Sequence, residues 1–256
     1  MIRNALTIQG LGREIRGTPT LERPTGLFVK RDGWQGWEGL PAGRREALAR
    51  ALAHGEFDVP VKLPARVITI DGWVIARTIP ELRNLSQSLT GWGASGDRFA
   101  LSVEHQEQDL TATARRLLAE ADDTGRRHGP WRVAAFQAQL VAADPRKYGD
   151  VKRFPESGLA TSIDVSHDGN FLAFPVIEVP AAPASYAIQT PAGVYNITGA
   201  TPGGTHRVDL RTGRVTRNDV WMPDVGRGPL WAAPDGATST IVLSSPGRAL
   251  VTNTFV

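Results

Sequence analysis

Cysteine is absent from the 256 residues. Its absence excludes disulfide frameworks, Cys-ligated zinc, iron–sulfur clusters and thiol nucleophiles together, and it fits a cytosolic assembly site, although a chain without Cys works in any redox compartment. Long apolar runs are missing too. Nothing approaches the roughly eighteen uninterrupted apolar residues of a membrane span. The opening stretch MIRNALTIQGLGREIRG is broken by Arg3, Asn4, Gln9 and Arg13, so it does not supply a signal-peptide apolar region. Lysine is scarce, occurring only at 30, 62, 147 and 152, with Arg making up the other basic residues. Arg in place of Lys, beside abundant Ala and Gly, is what GC-rich coding produces. A nucleic-acid surface needs basic residues clustered on one face, and the densest runs, Arg44-Arg45 and Arg126-Arg127-His128, are short and sit beside acidic residues. The net charge of only +3 gives no bulk attraction to a polyanion.

What is present suits a folded, mainly β protein with a minor helical part. Two composition blocks meet near residues 144–160, where ADPRKYGDVKRFPESG supplies Pro, Gly and charge without an apolar period and reads as a linker. The first block opens with a strand around Ala5, Thr7 and Ile8, then runs Pro- and Gly-rich through residue 43. GRREALARALAHG has helical composition and ends at Gly55. In VKLPARVITIDGWVIA, Val67, Thr69 and Asp71 alternate with Ile68 and Ile70, and Asp71-Gly72 predicts a two-residue hairpin turn. Thr78, Pro80 and Glu81 open a helix through a capping box. Leu82, Leu85 and Leu89 follow at helical spacing, and Gly91 or Gly93 ends it. FALSVEH alternates as a strand. LTATARRLLAEADD has helical composition, yet Leu110, Ala112 and Ala114 alternate as a strand would. VAAFQAQLVAADP predicts one long strand stopped by Pro145. The second block carries about nine short strands with regular turn signals, including the RVDLRTGRVTR hairpin on Thr212-Gly213, and implies a jelly-roll-like sandwich.

Catalytic constellations are hard to assemble from these residues. Glu104, His105, Glu107 and Asp109 have metal-ligand chemistry, but strand alternation puts His105 and Glu107 on one face and Glu104 on the other, with no second His to complete a set. Ser166-His167-Asp168 holds the three triad types, but adjacent residues cannot reach one another as base and orienter. His206 and Asp209 fall on opposite faces of a strand. No P-loop pattern occurs, and GLGREIRG misses the dinucleotide fingerprint by spacing. The seven tryptophans are scattered, without the paired spacing of a stacking track, and favour core packing and subunit contacts. No catalytic, cofactor-binding or metal-binding residue is assigned, and no cofactor is expected.

The order of these features resembles the siphophage distal tail proteins (Dit), often labelled minor tail proteins in actinobacterial phages. The matching stretches are His54-Gly55-Glu56-Phe57-Asp58, Arg66-Val67-Ile68-Thr69-Ile70-Asp71-Gly72, and the helix carrying Glu81-Leu82. Phe136 through Leu140, closed by Ala143-Asp144-Pro145-Arg146-Lys147-Tyr148-Gly149, is the most diagnostic piece. Gly169-Asn170 with Pro175, the Val208-Asp209, Thr212-Gly213 and Val215 hairpin, and the Trp231 strand follow. Residues 11–53 match only vaguely and stand as an insertion or an extended arm, and the C-terminal block has no room for the carbohydrate-binding insertions of some relatives. The resemblance implies a split-barrel-like ring-forming domain with a covering helix over 1–150 and a galectin-like sandwich over 151–256. It further implies a non-enzymatic homohexameric ring in the virion, at the tail tip, assembled in the host cytoplasm. Its implied neighbours are the tail tube and tape-measure proteins and the tail-tip hub or baseplate and receptor-binding proteins, with DNA passing through the lumen and no membrane contact. A carbohydrate-binding tail adhesin is the alternative, and a cell-wall hydrolase a third class.

Overall fold

The computed structural model describes residues 6–40, 42–122 and 125–256. Ala5 of the expected first strand and Asp123 at the end of LTATARRLLAEADD lie outside the described residues. Strands take up 53% of the chain and helix 5%, so the fold is mainly β. Two compact units divide it: one runs to Lys147 and takes in Val256, the other is Tyr148–Phe255.

The first unit contains β1 (Thr7–Gly10), β2 (Arg13–Arg16), β3 (Gly26–Gln35), β4 (Arg66–Ala76), α1 (Ile79–Thr90), β5 (Phe99–His105), β6 (Gln108–Ala121), β7 (Arg126–His128) and β8 (Trp131–Ala142). The ladders close on themselves in the order β1, β2, β3, β4, β8, β6, β5 and back to β1, with β2 and β3 parallel and every other pair antiparallel. Closure leaves no long free edge among these strands. Alternation fills the interior: Ile68, Ile70 and Val74 of β4 are buried, as are Leu101, Val103, Leu110 and Leu140, each worth about 1.5–3 kcal/mol of apolar burial.

Three expectations change here, and one left open between helix and strand is settled. The Asp71-Gly72 hairpin is not formed, since β4 runs unbroken through both residues and pairs with β3 on one side and β8 on the other. Gly72 is needed for close packing: a Cβ there would lie 2.2 Å from the Phe28 carbonyl oxygen and 2.4 Å from the Phe136 ring. LTATARRLLAEADD is the strand β6, because partners on both sides outweigh the helical propensity of its Ala and Leu. GRREALARALAHG is not a helix. Residues 42–65 form an antiparallel excursion held by the bridges Arg44↔Lys62 and Ala49↔Glu56, with Leu48 and Leu52 75% and 108% exposed. A helix there would have no core to bury its apolar face against. Finally, β5 ends at His105 and a tight turn follows, with Gln106 at φ 52° and Glu107 at φ 65°. Glu107 therefore does not share a strand face with His105.

The helix forms where its capping signals place it. Thr78 Oγ1 accepts from the Glu81 amide at 3.2 Å, and Glu81 Oε2 accepts from the Arg77 amide at 2.8 Å. Gly91 ends the helix, and Leu82 and Leu89 are buried against β4, β6 and β8.

The second unit contains β9 (Lys147–Phe154, less its first residue), β10 (Ala160–Val165), β11 (Val176–Pro180), β12 (Tyr186–Thr190), β13 (Gly193–Ile197), β14 (Thr205–Asp209), β15 (Arg214–Arg217), β16 (Val220–Met222), β17 (Gly226–Arg227) and β18 (Ser239–Phe255). β9 occupies part of the stretch read as a linker. One ladder runs β10, β18, β12, β13, β17, the other β18, β11, β14, β15, β16, every pair antiparallel. β18 crosses between them, so Thr240–Ser244 and Ala249–Phe255 are one strand where two were expected. Pro246-Gly247 lies at the crossing, where a missing N–H is tolerated and where a Cβ on Gly247 would meet the Glu178 carbonyl oxygen at 2.6 Å. Leu230–Ala232 is not a strand, only a bridge joining Ala233 to Ala173. The two ladders share one core around Ile163, Ile177, Ile188, Tyr195, Val208 and Ile241. The RVDLRTGRVTR hairpin forms as expected, closed by Asp209↔Arg214 with Gly213 at φ 71°.

Candidate functional site

The residues with metal-ligand chemistry at the β5–β6 hairpin do not converge. His105 Nδ1 lies 2.9 Å from Glu38 Oε1, while Asp109 Oδ1 accepts from the Ser102 hydroxyl at 2.8 Å. Among the described residues no group of three His, Asp or Glu has the arrangement of a metal site.

His167 is buried, and both ring nitrogens meet backbone: Nδ1 accepts from the Gly169 amide at 3.1 Å, which leaves Nε2–H to donate to the Ala233 oxygen at 3.3 Å. Asp168 instead pairs with Lys152 Nζ at 2.6 Å, and that hydrogen bond lowers its pKa. Ser166, His167 and Asp168 thus make no relay. His206 is fully buried: Nε2 donates to the Thr201 oxygen at 2.9 Å, and the Tyr186 hydroxyl lies 3.4 Å from Nδ1. Burial pushes the Tyr186 phenol further above its ordinary value. Asp209 is occupied in its own turn, accepting from the Arg211 amide and the Thr212 hydroxyl, both at 2.8 Å.

Three charged residues that sequence reasoning did not single out are buried. Arg66 Nη1 donates to the carbonyl oxygens of Gly36, Trp37 and Gly39 at 2.7, 2.7 and 2.6 Å, and Nε to that of Pro145 at 2.9 Å. Lys147 Nζ donates to the same Trp37 oxygen at 3.1 Å and lies 5.5 Å from the Trp37 ring centroid. Burial lowers the pKa of both cations, with Glu38 acting in the opposite sense. Glu178 sits between Arg207 Nε at 2.8 Å and Arg248 Nε at 2.6 Å. Burial pushes its carboxyl up, but the hydrogen bonds from the two guanidinium groups outweigh this and hold it below the usual carboxylate range. These groups pin loops and strands. Alternation between Ile177 and Val179 marks Glu178 as outward-facing, and no local pattern says that two arginines will cover it.

The tryptophans divide by burial. Trp37, Trp92 and Trp231 are buried, and Trp92 Nε1 donates to the Gly10 oxygen at 2.8 Å. Trp73 is 44% exposed and Trp221 59%. Trp73 shares the outer face of β4 with Val67, itself 48% exposed. A depression of about 450 Å³ on the first unit is lined by Lys30, Asp71, Glu120, Asp122 and Gln137. There Asp71 is already engaged by Lys30 at 3.2 Å and by Gln137 at 2.8 Å.

No family model and no curated protein matches the chain. Solved structures do. The Dit protein of phage SPP1, described as a paradigm of the hub adsorption apparatus in phages infecting Gram-positive hosts, is similar with a TM-score of 0.74 at 16% identity over 98% of this chain and 99% of that one. A chain of the phage P2 baseplate in its activated conformation with Ca is similar with a TM-score of 0.50 at 8% identity over 97% of this chain and 98% of that one. Over 98% of its length the chain shares the fold of the SPP1 protein.

Proposed function

We propose that the chain is a structural virion protein of a siphophage: a distal tail protein whose copies close into a homohexameric ring joining the tail tube to the baseplate or tail tip. The observation that carries this reading is the likeness to the SPP1 hub protein over 98% of one chain and 99% of the other. In this reading residues 1–150 build the ring, and residues 151–256 form a galectin-like sandwich that holds baseplate, tail-tip hub or receptor-binding proteins. The tail tube and tape-measure proteins are the neighbours above, and DNA crosses the lumen in transit. The protein is assembled in the host cytoplasm, carries out no catalysis and needs no cofactor. The exposed Val67 and Trp73 on one sheet face, and the exposed Leu48 and Leu52 beyond it, supply apolar surface of the kind that assembly covers. Native mass spectrometry with negative-stain imaging of the purified protein tests the reading. Six-fold rings with an open lumen are expected. A protein that stays monomeric at micromolar concentration, and also fails to join tails in an extract lacking it, overturns the reading.

One observation favours a second reading, the carbohydrate-binding tail adhesin. Trp221 is 59% exposed on β16, with the Arg214 guanidinium 5.7 Å from its ring centroid, an aromatic face beside a hydrogen-bond donor. Glycan-array binding that disappears in Trp221→Ala supports it, and a blank array removes it.

A further inference from the structure

Aspartate is followed by glycine four times in the chain, at Asp32-Gly33, Asp71-Gly72, Asp168-Gly169 and Asp235-Gly236. An Asp-Gly step is chemically labile, because no side chain on the glycine hinders its amide nitrogen from reaching the aspartate Cγ. The fold treats the four steps differently. Gly72 lies in β4 between two paired strands, and Asp71 is held by Lys30 at 3.2 Å and by Gln137 at 2.8 Å. The Gly169 amide donates to His167 Nδ1 at 3.1 Å, the Asp168 carboxylate takes Lys152 Nζ at 2.6 Å, and a Cβ on Gly169 would lie 2.0 Å from the Thr254 oxygen. Asp32 is exposed, but Gly33 is buried against β4, where a Cβ would lie 2.2 Å from the Asp71 oxygen. Asp235-Gly236 is the exception. Both residues are exposed in a turn, with Gly236 at φ 64°, and a Cβ on Gly236 would meet nothing within 4 Å. Among the described residues no group bonds to the Asp235 carboxylate and none accepts from the Gly236 amide.

We infer that Asp235-Gly236 is a self-modification site, where the chain closes a succinimide and reopens it as isoaspartate. The Gly236 amide nitrogen bonds to Cγ of the protonated Asp235 carboxyl, and the hydroxyl leaves as water with the amide proton. Water then opens the imide at either carbonyl. One opening restores aspartate. The other leaves a main chain that runs through Cγ, longer by one methylene, with the Asp235 α-carboxylate as its side group. A glycine amide held in a ladder or a hydrogen bond must give up that bond before it attacks. A carboxylate bonded by a cation is also harder to protonate, and the pKa of Asp168 is lowered in this way by Lys152. Neither restraint acts on Asp235-Gly236. The longer chain is accommodated because paired structure begins only at Ala233 on one side and Ser239 on the other, and exposed turns of small residues tolerate insertion. The site does not depend on the ring reading.

Incubation of the full chain near neutral pH in water enriched in heavy oxygen tests the site, because each opening of the imide adds one heavy oxygen atom. The four steps fall in four different tryptic peptides, Asp235-Gly236 in Gly228–Arg248. Digestion in ordinary water keeps trypsin from adding label of its own. A second sample is held unfolded in guanidinium chloride until all four peptides carry label, and the folded sample is taken at the same time. In the unfolded chain the four peptides are expected to label to a similar extent, since each holds the same Asp-Gly step. In the folded chain the label in Gly228–Arg248 is expected to exceed that in each of the other three several-fold, with an isoaspartate form that separates chromatographically at unchanged sequence. Asp235→Ser removes that label and leaves the other three peptides as they were. Equal labelling of the four peptides in the folded chain means that sequence, not fold, sets the rate, and overturns the site. So does a folded chain in which Gly228–Arg248 stays unlabelled, or in which Asp32-Gly33 takes the most label.

Discussion

Glu178 is 2% exposed, and each of its carboxylate oxygens takes a guanidinium hydrogen bond, one from Arg207 and one from Arg248. Removing one partner of a buried ion pair leaves the other charges uncompensated. Here both arginine side chains remain partly in water, 45% and 35% exposed, which softens the loss. Glu178→Gln is therefore expected to lower unfolding stability by about 2 kcal/mol near neutral pH. Because the folded-state pKa is depressed, the carboxylate's contribution is fully present above its unfolded value of about 4.3 and is lost as the pH falls through the folded value. Urea unfolding near neutrality and again below about pH 3 checks both statements: the gap between the native protein and Glu178→Gln should be wide in the first and narrow in the second. A gap of equal size at both pH values would mean that packing, not charge, sets the cost. Residues like this one are illegible in sequence. A strand pattern shows which way a side chain points, but a residue's cover comes from strands far along the chain, here from positions 207 and 248. Arg66 is hidden for the same reason, because the carbonyls that accept from it belong to residues 36–39 and 145.

At the scale of elements, the helix was readable because its signals are local. Thr78, Pro80 and Glu81 satisfy the first turn whatever surrounds it. Thr78→Ala removes an acceptor from the Glu81 amide and should cost about 1 kcal/mol, read as a shift of the urea midpoint at unchanged slope; Thr78→Ser should recover most of it. A neutral Thr78→Ala would mean that burial of Leu82 and Leu89 alone fixes the helix start. The long strand β8 and the strand β5 were equally plain, since alternation over several residues fixes one buried face. Asp71-Gly72 misled because a glycine after an aspartate has two physical uses. One is a positive φ; the other is room for a neighbour, and here the Phe28 carbonyl and the Phe136 ring occupy the space. The run from 43 to 55 misled in the opposite way, since helical composition without a face to bury does not make a helix.

The whole molecule poses a question that its separate elements do not. Residues 42–65 contribute little to the first unit, as Leu48, Leu52, Phe57 and Val61 are 75%, 108%, 56% and 62% exposed. Such side chains in water neither stabilise the unit nor help solubility, so in the proposed ring their use lies in what they contact after assembly. The excursion is closed near its base by reciprocal bonds between Arg44 and Lys62, with N–O distances of 2.7 and 2.9 Å. It can therefore be replaced by a short Gly-Ser link from residue 43 to residue 63 without disturbing Gly36–Gly39, which Arg66 holds in place. The shortened protein should unfold within about 0.5 kcal/mol of the native one, as surface changes away from the core do, and, on the proposed ring reading, should no longer close into six-fold rings. Sedimentation velocity against urea unfolding separates the two quantities. A shortened protein that assembles normally would make residues 42–65 a bystander and move the ring contacts to the face bearing Val67 and Trp73. A loss of several kcal/mol would instead mean that the excursion belongs to the unit's own core, which the exposure of its four large apolar side chains argues against.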